Sequence, residues 1–371
     1  MPEDFKSLKN YVGEFHDDMS SLTLLGSFRD WANHEESVSI ALKELFTNSK
    51  LPRVWLMLFD LHHSINDLLH GAKSNIKRDI DSVPSTQIDP TQFFDCLAWG
   101  YEHIDFYNPP DESLFSDQRK FTEAKRVFNL AQETWLNLRH YFPSRLAFYH
   151  CLDLKEISSF RPNNLLRMFD VGIPGSLYET RIKARDLFFQ SGYSITPSGL
   201  ISKVFGKLIQ VIFQLLKVLH IKEARKKIAV KRKISFSKLQ FICQLSRLVW
   251  VDGSYLRYPV RKYFEVPALN ALLTSSENNA IKALGIFEEW QLIDTEHLIG
   301  SNLRQAKIGK RDRKVLLERQ KFKILSDHTT TVRLKALSTF INHFDPNIST
   351  LGYYKEGKLI FERNGKDEFA P

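Results

Sequence analysis

Short apolar runs separated by helix-period segments predict an α/β protein. The runs PRVWLMLFDLHHS (52–64) and SRLAFYHCLDL (144–154) each end in polar residues, which is typical of strands buried in a sheet. Between them, the segment 118–142 places its apolar residues roughly on one side of a helix. The first half of the chain therefore predicts helices and strands packed in layers.

The second half repeats this alternation after the polar segment 158–164 (SSFRPNN), which predicts an interdomain linker. Residues 165–197 predict a strand, a glycine-containing turn, a helix and a second strand, the order that builds a parallel sheet. A helix that starts at FSKLQ leads into a predicted strand at 248–251, and ALNALLTSS (268–276) predicts another strand. Residues 311–344 are mostly helical in pattern.

These patterns predict two main domains and a short tail. We expect an N-terminal domain over residues 1–160 and a C-terminal domain over residues 161–345. An insertion at 199–233, with an apolar centre and a basic end, interrupts the alternation. Residues 346–371 predict a tail with a small hairpin around residues 356–357.

Composition and charge narrow the class of partner. The 371 residues are 43% hydrophobic and 26% charged, which excludes global disorder, and the net charge of +9 favours anionic partners.

The three cysteines are far apart and form neither a disulfide framework nor a metal-ligand spacing, so we expect no bound metal. The N-terminus lacks the apolar stretch of a secretory signal, and no run reaches the ~18 apolar residues that span a bilayer. We therefore expect a cytoplasmic protein.

One acid lies in an apolar setting within YPVRKYFEVPALNALLTS (258–275). We expect a helix that starts after Pro259, with Glu265 near its N-terminus beside Arg261 and Lys262. Such a carboxylate can accept hydrogen bonds from two ribose hydroxyls, while the cations and the helix amides hold a diphosphate. The alternative is a salt-bridged helix on the protein surface.

Several segments resemble one enzyme family. VWVDGSYLRYPVRKYFEVPALNALLTS (249–275), ALGIFEEWQLID (283–294) and SDHTTTVRLKAL (326–337) are similar to the donor-binding half of group 1 glycosyltransferases, in particular the spore-maturation-protein-like branch. FDVGIPGSLYETRIKARDLFFQSGY (169–193) is similar to the opening strand and helix of that half, and PRVWLMLFDLHHS resembles a strand of the N-terminal domain. The resemblance covers most of residues 165–340.

The resemblance implies a helix-rich GT-B fold, in which two Rossmann-like domains face each other across a cleft and the second binds a nucleotide-sugar. It implies an enzyme that moves a sugar to a glycan or lipid-linked acceptor, in surface polysaccharide or glycoconjugate synthesis, without a cofactor. The donor-binding positions that it carries over are Glu265 for the ribose, Arg261 for the diphosphate, and the loop and helix-start residues Gly175, Tyr178, Arg181, Asp252 and Gly253. Lys262 joins them as the second cation beside Glu265.

Two positions depart from the family pattern. Many retaining members have a second acid eight residues before the ribose acid, where this chain has Arg257, so the stereochemistry of transfer is left open. Asn270 stands where a glycine is usual, and an asparagine tolerates a left-handed backbone better than most residues.

An inverting reaction also needs a base for the acceptor hydroxyl, and we expect it on the N-terminal domain. Asp60 and His62 come at the end of the run at 52–64, and the period of a strand points them to the same face. The alternative is a hydrogen-bonded pair at a strand end that carries no chemistry.

The insertion predicts contact with a membrane surface. LIQVIFQLLKVLHI (208–221) is too short to span a bilayer, yet apolar residues cover much of the helix it predicts. A run of cations follows it, namely Lys222, Arg225, Lys226, Lys227, Lys231, Arg232 and Lys233. This combination is typical of an anchor on an anionic leaflet, here the inner face of the plasma membrane. The alternative is a core helix followed by a solvated basic loop.

Two other functions stay open on the sequence alone. The basic charge and the 12% of aromatic residues suit nucleic-acid binding. No helix-turn-helix, zinc or RNP motif is present, however, so we expect no nucleic-acid partner. A GT-B scaffold that binds a partner without catalysis would carry the same motifs.

Overall fold

The computed structural model divides the chain into two compact units. Unit 1 comprises Met1–Pro109, Thr122–His150 and Thr330–Pro371, and unit 2 comprises Pro110–Phe121 and Cys151–Thr329. The structure describes residues 22–26, 54–58, 96–99, 142–147, 167–175, 179–197, 224–252, 259–276, 279–287, 292–293 and 309–369, with scattered positions at 109–129, 151–157 and 201–211. The GT-B arrangement, which concerns two domains across a cleft, stays a prediction.

Strands and helices alternate through most of the described chain. The strands are β1 (Leu22–Gly26), β2 (Val54–Leu58), β3 (Cys96–Trp99), β4 (Arg145–Ala147), β5 (Phe169–Gly172), β6 (Ser246–Val251), β7 (Leu272–Ser276), β8 (Leu292–Ile293), β9 (Thr350–Lys355), β10 (Lys358–Arg363) and β11 (Lys366–Phe369). The helices with both ends in the described ranges are α1 (Glu179–Gln190), α2 (Ala224–Leu245), α3 (Lys262–Ala268), α4 (Asn279–Ala283), α5 (Lys310–Asp327) and α6 (Thr330–Asn342).

Unit 2 contains a parallel sheet with the order β5-β6-β7-β8. A further pairing lies on the other side of β5, where Ile195 forms a parallel bridge with Val171. The Thr196 amide donates to the Val171 carbonyl at 2.9 Å, and the Val171 amide donates to the Ser194 carbonyl at 3.0 Å. The chain therefore goes to one side of β5 after α1 and returns to the other side to form β6. This reversal makes the gap between β5 and β6 the topological switch point, where open α/β sheets bind ligands.

Helices α1 and α5 pack on the same core of unit 2. Ala184 and Phe188 of α1 and Leu317 of α5 are buried together with residues of β5, β6 and β7. The strand side chains of this core include Val171, Leu248, Trp250 and Leu272. Each large apolar side chain buried in this way contributes about 1.5–3 kcal/mol. The core therefore holds α1 firmly against the strands beside the switch point.

Helix α2 begins earlier than the sequence pattern predicts. The pattern favours a start at Phe236, whereas the helix begins at Ala224. Alanine, lysine and arginine are strong helix formers, and they dominate residues 224–233. The basic run is therefore the first half of the helix that leads into β6. The positions Arg225, Lys226, Lys227, Lys231, Arg232 and Lys233 lie on this helix with side chains outside the described part, and Lys222 lies outside it altogether.

Several predicted elements of unit 2 are confirmed. The helix expected after Pro259 is α3, and the strands expected at 248–251 and 268–276 are β6 and β7. Asn270 has a φ of 64°, which confirms that this asparagine takes the left-handed backbone in place of a glycine. The strand expected before Pro197 is shorter than predicted, because only the bridge at Ile195 is formed.

Unit 1 contains a sheet with the order β1-β2-β3-β4-β9-β10-β11 among the described strands. The strands β1 to β4 and β9 are parallel, and β10 and β11 continue as an antiparallel meander. The apolar runs at 52–64 and 144–154 contain β2 and β4, as predicted. The predicted hairpin is also confirmed, because Glu356 and Gly357 turn the chain between β9 and β10 with φ of 51° and 81°.

The C-terminal residues join unit 1, which differs from the division that the sequence predicts. The sequence pattern ends the C-terminal domain at residue 345 and treats 346–371 as a tail, whereas Thr330–Pro371 group with unit 1. The reason is that β9 pairs with β4, where Gly352 lies opposite Leu146. A Cβ at Gly352 would overlap the side chains of Leu146 and Phe361, so the strands approach closely only because this residue is glycine.

Candidate functional site

The candidate site lies at the carboxyl ends of β5 and β6, at the switch point of the unit 2 sheet. Gly175 comes shortly after β5, and Asp252 directly follows β6. Because parallel strands present their carboxyl ends at one edge of a sheet, both loops reach the same place. The first residues of α1 and α3 complete this edge.

Asp252 and Arg181 form a buried ion pair in this place. The Arg181 Nε donates to Asp252 Oδ1 at 2.6 Å, and Arg181 Nη2 lies 2.5 Å from the same oxygen. The Thr180 hydroxyl donates to Asp252 Oδ2 at 2.9 Å. The side chains of Arg181 and Asp252 are each only 5% exposed. The first turn of α1 is thereby fixed to the end of β6, and two residues carried over from the family resemblance are in direct contact.

The loop after β5 approaches this ion pair so closely that only glycine fits. Gly175 has a φ of 115°, in a region of backbone space that favours glycine. A Cβ at this position would overlap the Arg181 guanidinium and lie 3.0 Å from Lys262 Nζ. The backbone of Gly175 and the side chains of Arg181 and Lys262 therefore meet at one point.

Lys262 brings to this point an ammonium that has no hydrogen bond or ion pair with any residue in the described ranges. Its side chain is partly buried. The pKa of Lys262 is lowered to about 8, chiefly by burial and then by the positive charge of Arg181, while Asp252 and Glu265 act in the opposite direction. The ammonium has lost hydration without gaining a matched carboxylate. An anion bound beside it would supply the missing interaction.

Glu265 is buried and paired within its own helix. Its Oε1 lies 2.6 Å from Arg261 Nε, and the residue is only 7% exposed. The salt-bridged alternative considered for this acid is therefore present, but in a buried position and not on the surface. Its pairing with ribose hydroxyls stays a prediction, and it requires the Arg261 contact to be shared with the ligand.

Lys238 of α2 belongs to the same group of charges, although the sequence motifs did not indicate it. Its pKa is lowered, chiefly by burial and then by the positive charge of Arg181. The sequence feature that could have indicated Lys238 is its position as a single lysine within the apolar end of α2, SFSKLQFICQL. We call this group the switch-point cluster: Gly175, Arg181, Lys238, Asp252, Arg261, Lys262 and Glu265. Four cations against two carboxylates leave an excess of positive charge, which favours an anionic ligand.

Two further residues of the family-like motifs have structural partners. The Tyr263 hydroxyl donates to the Val251 carbonyl at 3.0 Å and lies 2.7 Å from Ser275 Oγ. His328, from the segment SDHTTTVRLKAL, is fully buried, and its Nε2 lies 2.7 Å from the Leu284 carbonyl oxygen. These contacts anchor α3 and the end of α5 and leave neither side chain available at the switch point.

The remaining predicted site residues lie outside the described residues. Tyr178 precedes α1 and Gly253 follows Asp252, and neither is described. Asp60 and His62 come after the end of β2 and are also outside the described part. Their proposed roles as loop residues and as the base stay predictions.

Comparison of the chain with protein-family models, with curated proteins and with solved structures gave no significant match. A functional assignment therefore depends on the chemistry of the switch-point cluster and on the motifs of the sequence. Among the described residues, no helix is long and apolar enough to cross a membrane.

Gly175→Ala is expected to disturb the cluster far more than the matched change Gly192→Ala. Both glycines have positive φ, 115° and 80°, so each alanine costs about 1–2 kcal/mol of backbone strain. Only at Gly175 does the new Cβ also meet side chains, whereas nothing lies within 4 Å of a Cβ at Gly192. Hydrogen exchange should therefore accelerate around Arg181 and Asp252 only in the Gly175 variant. Equal acceleration there in both variants would contradict the close approach of the loop.

Proposed function

We propose that this chain is a glycosyltransferase of the GT-B kind that uses a nucleotide-sugar donor. The observation that carries the proposal is the Lys262 ammonium, which lies beside the Gly175 loop at the switch point and makes no hydrogen bond or ion pair with any described residue. The diphosphate of a nucleotide-sugar offers anionic oxygens to this ammonium and to the excess positive charge around it. The family-like motifs of the sequence add the expectation of sugar transfer.

The step that these cations would favour is departure of the nucleoside diphosphate. Negative charge grows on the diphosphate oxygen as its bond to the sugar breaks, and cations that are already in position stabilise that charge without reorganisation. Arg181 is held by Asp252 at 2.6 Å, so its guanidinium is positioned before any ligand arrives. In this proposal Glu265 accepts the ribose hydroxyls, Arg261 lies beside it, and Asp60 or His62 removes the acceptor proton if the reaction inverts.

A panel of nucleosides, nucleoside diphosphates and nucleotide-sugars tests the proposal through thermal stability. At a ligand concentration of 100 times Kd, a bound diphosphate should stabilise the fold by about 2.7 kcal/mol. The matching nucleoside, which lacks the anionic groups, should shift the melting temperature far less. Stabilisation by oligonucleotides in place of these ligands would favour nucleic-acid binding, and donor binding with no transfer or hydrolysis would favour an inactive scaffold.

Glu265→Gln is expected to weaken donor binding by roughly 10- to 150-fold, because a hydrogen bond to a charged group contributes about 1.5–3 kcal/mol. The loss should be specific to the ribose, so the same substitution should change the affinity for a 2′-deoxyribose donor much less. Calorimetry on both donors separates this role from a general folding defect. Glu362→Gln in β10 serves as a control that should leave both affinities unchanged. An equal loss for ribose and deoxyribose donors would remove Glu265 from the ribose site.

We also propose that the apolar segment 208–221 and the basic first half of α2 hold the protein on an anionic membrane surface, where a lipid-linked acceptor would be found. Val211, within that segment, is 56% exposed, which supports an apolar surface that is not covered by the core. Each cation near such a surface adds about 1 kcal/mol of binding. The basic side chains themselves lie outside the described part.

Vesicle flotation tests this membrane contact. The protein should float with vesicles that contain phosphatidylserine, less so at high salt, and a variant with the seven predicted cations neutralised should stay in solution. Neutralising Lys355, Lys358 and Lys366 of unit 1 is the matched control and should not reduce flotation. If the wild-type protein and the seven-cation variant are recovered equally in the soluble fraction, a soluble acceptor becomes the better proposal.

A further inference from the structure

Helix α5 has an apolar stripe on its solvent side as well as on its buried side. Leu317, Gln320 and Ile324 are buried on the inner side. On the outer side, Val315 is 48% exposed and Phe322 is 74% exposed. These two residues are seven positions apart, which places them one above the other on a helix. An exposed apolar stripe of this kind needs an explanation that the core of unit 2 does not provide.

This outer stripe forms one wall of a groove with a volume of about 740 Å³. The opposite wall is the loop at residues 285–287, between α4 and β8. The helix wall extends from Arg311 to Lys323, which corresponds to a length of about 18 Å at 1.5 Å per residue. The groove is therefore long enough for about three turns of a second helix.

The rim of this groove is strongly basic. Arg311, Lys314, Arg319 and Lys323 border it, together with a single acid, Glu318. Lys323 is already paired with Asp327 at 2.6 Å, and Glu318 is paired with Lys321 at 3.1 Å. Arg311 and Lys314 are both exposed and have no ion pair with any residue in the described ranges. Within the described part of the chain, the groove thus combines exposed apolar side chains with two cations that no described carboxylate pairs.

We propose that this groove docks an acidic, amphipathic helix of a partner protein. Apolar residues of that helix, at spacings of three, four and seven, would lie over Val315 and Phe322, and its carboxylates would meet Arg311 and Lys314. A nucleic-acid strand fits less well, because the exposed apolar side chains of Val315 and Phe322 offer no hydrogen-bond donor to a phosphate backbone. None of the residues that line the groove belongs to the switch-point cluster, although the Phe287 ring packs on Tyr263 of α3. The docking proposal does not depend on the proposed transferase activity.

Binding of a synthetic peptide to the full-length protein tests the docking groove by fluorescence anisotropy. The probe is a labelled peptide of about four helical turns, with leucine at every third or fourth position and glutamate on both flanks. A peptide of the same composition in scrambled order should bind at least roughly tenfold more weakly, since it presents no apolar stripe. Phe322→Ala should weaken the ordered peptide by a similar factor. The double variant Arg311→Glu, Lys314→Glu should weaken it and reduce its dependence on salt.

Helix α1 offers matched controls for both kinds of change. Phe189 is 73% exposed, so Phe189→Ala removes an equally exposed aromatic ring and should leave peptide binding unchanged. Arg185→Glu reverses an exposed charge on the same helix and should have only a small effect. Equal binding of ordered and scrambled peptides would overturn the proposal. The proposal would also fail if a thymidine oligonucleotide displaced the peptide and its own binding depended on Phe322. It would fail as well if the chain formed a dimer that Phe322→Ala abolishes.

Discussion

Asp252→Asn is expected to lower the stability of unit 2 by about 3–5 kcal/mol, the cost of leaving a buried charge without its partner. Asparagine keeps the shape of the side chain but removes the negative charge that the Arg181 guanidinium contacts at 2.6 and 2.5 Å. At 5% exposure, Arg181 cannot recover that loss from water. Hydrogen exchange of peptides from β6 and α1, measured across a urea series, reports the stability of this unit directly.

A rescue experiment separates lost charge balance from lost shape. Adding Arg181→Met to Asp252→Asn removes the stranded charge, so the double variant should recover a large part of the stability. Asp327→Asn is a matched control, because Asp327 lies at the same 2.6 Å from Lys323 but the side chains of that pair are 24% and 25% exposed. A pair with this much access to solvent contributes about 1 kcal/mol, well below the buried pair. Similar losses for Asp252→Asn and Asp327→Asn would show that burial of the Arg181 pair has no special energetic role.

The elements that could be predicted are those that depend on neighbouring residues. The hairpin turn at residues 356–357, the helix after Pro259 and the strand β7 each follow from a local pattern of apolar, glycine and proline residues. The family resemblance also indicated Arg181 at a helix start and Asp252 in the loop before α3. It did so without showing that the two side chains touch.

The features that could not be predicted depend on distant pairings. Arg181 and Asp252 are 71 positions apart, and no spacing rule connects them. Lys238 enters the cluster only because α2 packs against β5 and β6. Likewise, β9 joins β4 across the intervening segment Cys151–Thr329 of unit 2. Such contacts are determined by the tertiary packing of complete elements and not by the propensity of the residues that form them.

Lys262→Met is expected to change stability and diphosphate binding in opposite directions. Burial lowers the pKa of Lys262 from 10.5 to about 8, and a tenfold change in an acid dissociation constant corresponds to about 1.36 kcal/mol. The charged lysine therefore costs the folded state up to about 3 kcal/mol wherever both states are protonated, which is below pH 8. Methionine removes that cost, so the variant should be more stable than the wild type at pH 7. The same variant should bind a nucleoside diphosphate roughly 10- to 150-fold more weakly, because it loses a charge-assisted contact.

The pH dependence of both effects identifies the titrating group. Between pH 8 and 10.5 the unfolded chain binds more protons at Lys262 than the folded chain, so wild-type stability rises with pH and the advantage of methionine disappears. Diphosphate affinity should fall as the pH rises through 8, by about 8-fold between pH 7.5 and 9, as the free ammonium loses its proton. Lys262→Arg keeps its charge throughout and should show no such fall, while Lys355→Met at the exposed end of β9 should alter neither property. If Lys262→Met binds diphosphates as tightly as the wild type at pH 7, then the ammonium at the switch point does not hold the donor, and the proposed transferase site must be abandoned.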